Sequence, residues 1–254
     1  MGYIKTQGLV IKEVNTGEAD KIITILSKEY GKMSIIAKGA RRARSRFTAC
    51  TQFLCYSEFL LFEGREIHTI NSCEVIESFS EVGNDLIKLT YAAHIVDLIY
   101  DTVQEEQPAD KTLKLLLNTL YYLIKTDRSP ELITRIFELR YLCILGYAPY
   151  VKGCMNCSKD GLENLENLLF SFRKCGFICN SQNCFSADPY ALKISSGTAR
   201  AIYYIVYSHM DKLFNFELAP IVLKELGYII DRYLKERLEK KYDKLNFLKN
   251  IDNL

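Results

Sequence analysis

Between positions 150 and 188 the chain carries five cysteines, Cys154, Cys157, Cys175, Cys179 and Cys184, and few periodic apolar residues. A stretch so short, with so little core, cannot hold itself together by packing and needs a staple. The spacing Cys154-x2-Cys157, then 21 residues, then Cys179-x4-Cys184 supplies one. Two short-range pairs of thiolates presented from two turns can close a tetrahedron around Zn²⁺, and such a closed site contributes folding free energy. The sequence therefore predicts a structural zinc held by Cys154, Cys157, Cys179 and Cys184. Zinc ribbons usually repeat a two-residue spacing in both halves, whereas the second pair here encloses four, so on spacing alone Cys175 competes as a ligand. Reduced structural thiols are the plainer reading. A thioredoxin-like redox pair at Cys154 and Cys157 lacks its strand-then-helix setting. A catalytic zinc would want an open position and a nearby histidine or acid, and His68, His94 and His209 are all far away in sequence.

The chain has nine cysteines, an odd number, and its N-terminus shows no basic-then-apolar export signal, so a disulfide framework is not expected. Cys50, Cys55, Cys73 and Cys143 lie scattered in apolar surroundings, where cysteine behaves as a small hydrophobe. No segment reaches the 18 or so uninterrupted apolar residues of a membrane span, and the expectation is a soluble, cytoplasmic protein. With 33 basic against 31 acidic side chains, attraction to an anionic partner must come from local clustering of positive charge.

Up to about residue 80 the pattern is β: residues 8–14, 21–26, 32–37, 53–62 and 66–76 are rich in Ile, Val, Phe and Tyr with partial period-two alternation. Glycine-bearing turns separate them at Asn15-Thr16-Gly17, Tyr30-Gly31 and Glu63-Gly64, with one longer connection from Lys38 to about Thr51. Five short strands in this length predict a small closed barrel, of OB-fold type in preference to SH3-like. From Leu86 the period becomes helical, through Leu89, Ala93, Val96, Ile99 and Val103 and then Leu113, Leu116, Leu117, Leu120 and Ile124. A third helix opens at Ser129-Pro130, a cap followed by proline at the first helical position, and stops by Gly146 and Pro149. Helical spacing returns from Ser196 to Val206 and from Pro220 to Leu238. The expected fold is thus a multidomain α+β one. It has an OB barrel over 1–80, a helical domain built from 81–150 and 189–254, and a zinc-ribbon-like module inserted at 151–188.

The second constellation is Lys38-Gly39-Ala40-Arg41-Arg42-Ala43-Arg44-Ser45-Arg46, five positive charges in nine residues with no acid. It falls in the long barrel connection, where arginine forks can reach successive phosphates and Gly39 and the alanines let the backbone come close. A charge run is often only a solvated face. Placement on an OB-type barrel, whose surface takes oligonucleotides, favours nucleic acid and makes Lys38, Arg41, Arg42, Arg44 and Arg46 the candidate contacts. Tyr30 and Phe47 lie close enough to stack on bases but serve equally well as core. The basic end of the last helix, Arg232, Lys235, Arg237, Lys240, Lys241 and Lys244, is interleaved with Glu236, Glu239 and Asp243 and reads as a solvated face. Phosphate-loop, dinucleotide, zinc-protease and nucleophile-elbow motifs are all missing, so no enzyme activity is expected.

Several segments together resemble the RecO family of bacterial recombination and repair mediators. They are Gln7-Gly8-Leu9-Val10-Ile11, Gly17-Glu18-Ala19-Asp20-Lys21-Ile22, Ala37-Lys38-Gly39-Ala40-Arg41-Arg42 leading to Ser45, Gly146-Tyr147-Ala148-Pro149, Phe170-Ser171 and Gly176-Phe177-Ile178-Cys179. The resemblance implies an N-terminal OB-fold, a helical domain and a zinc module. It implies binding of single- and double-stranded DNA and annealing of complementary strands. It also implies action with RecR, and in many bacteria RecF, to help RecA displace single-stranded-DNA-binding protein, and so a place beside the nucleoid. By position Cys154, Cys157, Cys179 and Cys184 match the family's zinc cysteines, Cys184 offset by the wider spacing, while Cys175 has no counterpart. Some relatives have lost these cysteines, which makes the zinc structural. The acidic, apolar C-terminal tail of single-stranded-DNA-binding protein would suit a groove in the helical domain with a Lys or Arg at its rim. From another class, a zinc-stabilised OB-fold RNA-binding factor fits the same basic loop, and a protein scaffold with no nucleic-acid role is the third reading.

Overall fold

The computed structural model describes residues 2–65, 67–157 and 168–245. Five strands, β1 (Tyr3–Thr16), β2 (Asp20–Ser27), β3 (Gly31–Ala37), β4 (Cys55–Phe62) and β5 (His68–Ser78), close into a barrel of order β1-β2-β3-β5-β4. Every pairing is antiparallel except β3 with β5, which is parallel at Ile35↔His68 and Ile36↔Thr69. This is the OB arrangement. β1 is longer than its apolar pattern predicts because it serves two neighbours: Tyr3 to Leu9 pair with β4, and Gly8 to Thr16 with β2, across an irregularity between Val10 and Lys12. Glu66, the expected start of the fifth strand, lies outside the described residues.

Alternating residues of the strands meet inside: Val10, Ile23, Ile25, Met33, Ile35, Phe59, Leu61 and Ile70. Ala40, Phe47 and Cys50 from the long connection join them, so that loop caps the barrel core as well as crossing its surface. The connection is a chain of turns that runs to Leu54, so β4 starts two residues later than expected. Leu54 has φ 60 and donates its N–H to the Val10 carbonyl at 2.9 Å, which keeps it out of β4. Cys50 and Cys73 are joined by a disulfide, which corrects their reading as free small hydrophobes. Twenty-three residues separate them in sequence, and only barrel closure lays the connection against β5.

The chain divides into two compact units, Met1–Asp127 and Arg128–Asp243, with Lys244 belonging to the first. The first unit therefore contains α1 (Leu86–Thr102) and α2 (Asp110–Lys125) as well as the barrel, with a short 3-10 turn, Ser80–Asn84, between barrel and helices. Asp85 caps α1 by accepting from the N–H groups of Ile87 and Lys88. The α1–α2 connection clamps the β2–β3 turn: Lys32 N–H donates to Gln104 O, Ala109 N–H to Lys28 O, and Gly31 bridges to Glu105. Gly31 is at φ +64, and a Cβ there would stand 2.4 Å from Gln107 O and 2.5 Å from Gln104 O.

In the second unit α3 (Pro130–Ile144), α5 (Ser196–Tyr207) and α6 (Pro220–Leu238) pack together, with Pro130 and Pro220 at first helical positions as their sequences predict. α3 is buried almost all round, from Leu132 to Leu139, and carries Arg135 with it. Arg135 donates to Glu138 Oε2 at 2.8 Å and in bidentate fashion to Asp231 at 2.5 and 3.3 Å. Burial opposes its charge, but the two carboxylates outweigh that and hold the guanidinium protonated. Gly227 leaves the room, since a Cβ there would be 3.1 Å from Arg135 Nε. Between α3 and α5 lies a small three-stranded sheet of order β7-β6-β8, from β6 (Leu168–Ser171), β7 (Gly176–Cys179) and β8 (Leu192–Lys193), with the short α4 (Gln182–Ala187). Among the described residues no helix is long and apolar enough to cross a membrane.

The two turn glycines of the barrel separate backbone strain from crowding. Gly17→Ala, at φ +53 with nothing within 4 Å of the added Cβ, should cost about 1 kcal/mol, and Gly31→Ala about 3 kcal/mol or more, in urea unfolding. Equal losses would contradict the clamp.

Candidate metal centre and nucleic-acid interface

The inserted module is organised by its sulfurs. Tyr150 runs beside the start of β7, accepting from Phe177 N–H and donating to Cys175 O, and this delivers the following turn to the end of the β6–β7 hairpin. A Cβ on Gly176 would stand 2.3 Å from Tyr150 O, so only glycine lets the two backbones pass. Cys154 and Cys157 come from that turn, Cys179 from the last position of β7 and Cys184 from α4. All four Sγ atoms lie within 4.8 Å of one another, with Cys154 to Cys184 and Cys157 to Cys179 both at 3.7 Å. Sulfurs about 2.3 Å from a central ion in a tetrahedron stand about 3.8 Å apart, so the four thiols fit one tetrahedral metal ion.

The surroundings favour the thiolate form, as ligation requires. Burial would raise the Cys154 pKa, but backbone N–H groups, among them Cys179 N–H at 3.2 Å and Asn156 N–H at 3.4 Å, overcome it and lower the pKa. Cys179 is lowered to about 6, chiefly by the Ser181 hydroxyl at 3.3 Å. Asn156 Nδ2 lies 3.5 Å from Cys184 Sγ. The wider second spacing is absorbed by α4, whose first turn carries Cys184 to the cluster. Cys175 stands apart: it occupies the β6–β7 turn at φ 55, and its Sγ faces Phe172 O at 3.7 Å. Among the described residues, the apolar side chains packed around the sulfurs are Leu169, Ile178 and the partly buried Ala191. The other side of β6 is anchored better, with Phe170 edge-on to Tyr233 of α6 at 5.5 Å and Tyr233 donating to Tyr147 O.

On the first unit, the basic connection is held by its backbone and leaves its charges outward. Gly39, at φ +68, donates its N–H to Asp20 Oδ1 at 2.7 Å, and Arg41 N–H donates to Ala19 O at 2.9 Å. Ala40 between them is buried, which turns Lys38, Arg41 and Arg42 to solvent. Arg44 is exposed as well, and Arg46 reaches Asn71 O on β5 at 2.9 Å while its guanidinium covers the Phe47 ring at 4.8 Å. The five cations thus run from the β1–β2 turn across to β5. Among the described residues none of them is paired with a carboxylate. Phe47 belongs to the barrel core, and Tyr30 is exposed in the β2–β3 turn. The basic end of α6 is engaged internally: Arg232 lies 4.0 Å over Phe172 and pairs with Glu236, Arg237 donates to Phe172 O, and Lys241 and Lys244 pair with Asp243 and Asp97. The Cys50–Cys73 link escaped sequence reasoning, because nothing in the spacing distinguishes it from two apolar positions.

Comparison with known proteins agrees with both halves of this description. Residues 1–79 match the family model described as Recombination protein O N terminal, and residues 83–246 match Recombination protein O C terminal. The chain is 56% identical over 254 residues to the DNA repair protein RecO of Acetivibrio thermocellus, covering 100% of this chain and 99% of that protein. It is 34% identical over 251 residues to DNA repair protein RecO of Caldicellulosiruptor saccharolyticus, covering 99% and 100%. It is 30% identical over 252 residues to that of Halalkalibacterium halodurans, covering 99% and 96%.

Native mass spectrometry tests the metal set. The chain should carry one tightly held divalent ion; Cys154→Ser and Cys184→Ser should lose it and open the 150–195 segment to protease, while Cys175→Ser should keep it. Affinity for the ion should also weaken as the pH falls through about 6, where the proton competes for the free Cys179 thiolate. A Cys175→Ser protein that loses the ion would reassign the fourth ligand.

Proposed function

We propose, on the premise that this chain belongs to the RecO family, that it is a DNA repair protein acting as a recombination mediator without bond-making chemistry of its own. In this reading it binds single- and double-stranded DNA, anneals complementary strands and, with RecR, helps RecA onto DNA coated by single-stranded-DNA-binding protein. The observation that carries the proposal is the arginine run fixed by its backbone along the barrel, with its charges unpaired by any described carboxylate. Two DNA strands repel each other through their phosphates. A rigid row of guanidinium groups lowers that repulsion while leaving the base edges free to pair. Arg41, Arg42 and Arg44 are positioned for phosphate, Lys38 extends the row at one end and Arg46 at the other.

Zinc is the ion we assign to the cysteine centre: four thiolates in a closed tetrahedron suit it, and when bound it supplies folding free energy to a module with few apolar contacts. Cys154 and Cys184 hold it from the buried side, and Cys157 and Cys179 from the more exposed side. For the acidic, apolar tail of single-stranded-DNA-binding protein, the second unit has an apolar groove formed by Gly197, Ala201, Tyr204, Phe216 and Leu218, with Arg200 available for a carboxylate.

Five loop charges on single-stranded DNA correspond to a slope of log K on log salt of about −3.5, and replacing four of them should reduce its magnitude by about 2.8. Arg41→Ala/Arg42→Ala/Arg44→Ala/Arg46→Ala, once circular dichroism shows it folded, should therefore bind weakly and almost independently of salt, and should lose strand annealing. Unchanged annealing and slope would remove the loop from the mechanism.

A further inference from the structure

Tyr203 and Tyr207 of α5 belong to neither the metal centre nor the arginine loop, and they are not among the residues that line the groove at Gly197, Arg200, Ala201 and Tyr204. Ala199, Ala201, Ile202, Ile205 and Val206 are buried, and Tyr203 and Tyr207 stand one turn apart on the solvent side, 39% and 42% exposed. Their ring centroids are 5.0 Å apart with the planes tilted by 51°, and Lys152 Nζ sits 5.1 Å from the Tyr207 centroid. The helix contains no Asp or Glu. Among the described residues neither phenol makes a hydrogen bond.

Two aromatic rings kept at the surface with a cation beside them, and no acid on their helix, match the chemistry of an unpaired nucleic-acid strand. Each base offers a π-face that stacks without regard to sequence, and each phosphate offers a charge for the lysine. A duplex offers only the phosphates, because its bases already stack on one another. An acidic peptide would find the lysine but would gain no base stacking from the two half-exposed rings. We propose that Tyr203 and Tyr207, with Lys152 beside them, form a base-stacking site for single-stranded nucleic acid on the second unit. The site rests on the nucleic-acid reading above and adds to it: the arginine row grips any phosphate backbone, whereas stacking selects a strand whose bases are free.

The chain contains no tryptophan, so Tyr207→Trp introduces a single indole at the site. In the full-length protein an oligo-dT of about 25 nucleotides should quench that emission, and a duplex of equal length should not. Tyr203→Ala/Tyr207→Ala should weaken oligo-dT binding by about tenfold or more while duplex affinity and the salt slope stay the same, and Tyr203→Phe/Tyr207→Phe should bind normally. An indole left unquenched at saturating oligo-dT overturns the proposal, as does an alanine pair with wild-type affinity. An indole that responds to an acidic apolar peptide and not to oligo-dT overturns it in favour of a protein partner. Should the alanine pair misfold, the quenching measurement decides alone. Quenching that persists, at higher oligo-dT concentration, in the four-arginine variant supports stacking even if the loop reading stands or falls separately. Absence of any nucleic-acid binding by the unaltered chain defeats the functional reading first.

Discussion

Closure of the barrel depends on a very short parallel contact, Ile35 with His68 and Ile36 with Thr69, set against long antiparallel ladders everywhere else. Two residue pairs are little to join β3 to β5, and the connection between β3 and β4 makes up the difference. Ala40, Phe47 and Cys50 fill the core, Arg46 holds Asn71 on β5, and the Cys50–Cys73 link ties the same two segments covalently. The loop that carries the basic residues is therefore also the part that completes the barrel. This accounts for how so charged a run stays ordered: Ala40, Phe47 and Cys50 are buried, and the cations are left on the outside.

For the polyanionic partner proposed above, a fixed backbone beneath the arginines would reduce the ordering that binding requires. Asp20 contributes indirectly. By accepting from Gly39 it sets the first turn of the loop, and its own charge is engaged there by a backbone donor.

The second unit solves a different problem, how to hold an inserted segment whose cysteine end has little apolar packing among the described residues. Its cysteine end relies on four sulfurs and the N–H groups that point at them, and its opposite end relies on Phe170, Phe177 and Tyr233. The helices beneath it are tied by Arg135 between Glu138 and Asp231 and by Arg140, which donates to the last carbonyls of α5 at Ile205, Val206 and Ser208. Replacing Arg135 would take the guanidinium away from the fully buried Glu138 carboxylate, so this part of the molecule tolerates that change poorly.

The amino-acid sequence by itself determined the element types and most of their limits. Period-two alternation marks five strands, period 3.6 marks the helices, and Asp85, Ser129, Pro130 and Pro220 punctuate them, because all of these are local backbone preferences. It also pointed to the cysteine cluster, since two short spacings need only a hairpin and a turn to bring them together, but left Cys175 as a rival that only the tertiary structure sets apart. Tertiary structure alone decided the rest. The Cys50–Cys73 link, the use of Phe47 as core, the length of β1 and the burial of α3 on every side all depend on which segments end up adjacent. Periodicity reports which face of an element is apolar, and it carries no information about how many neighbours that element will have.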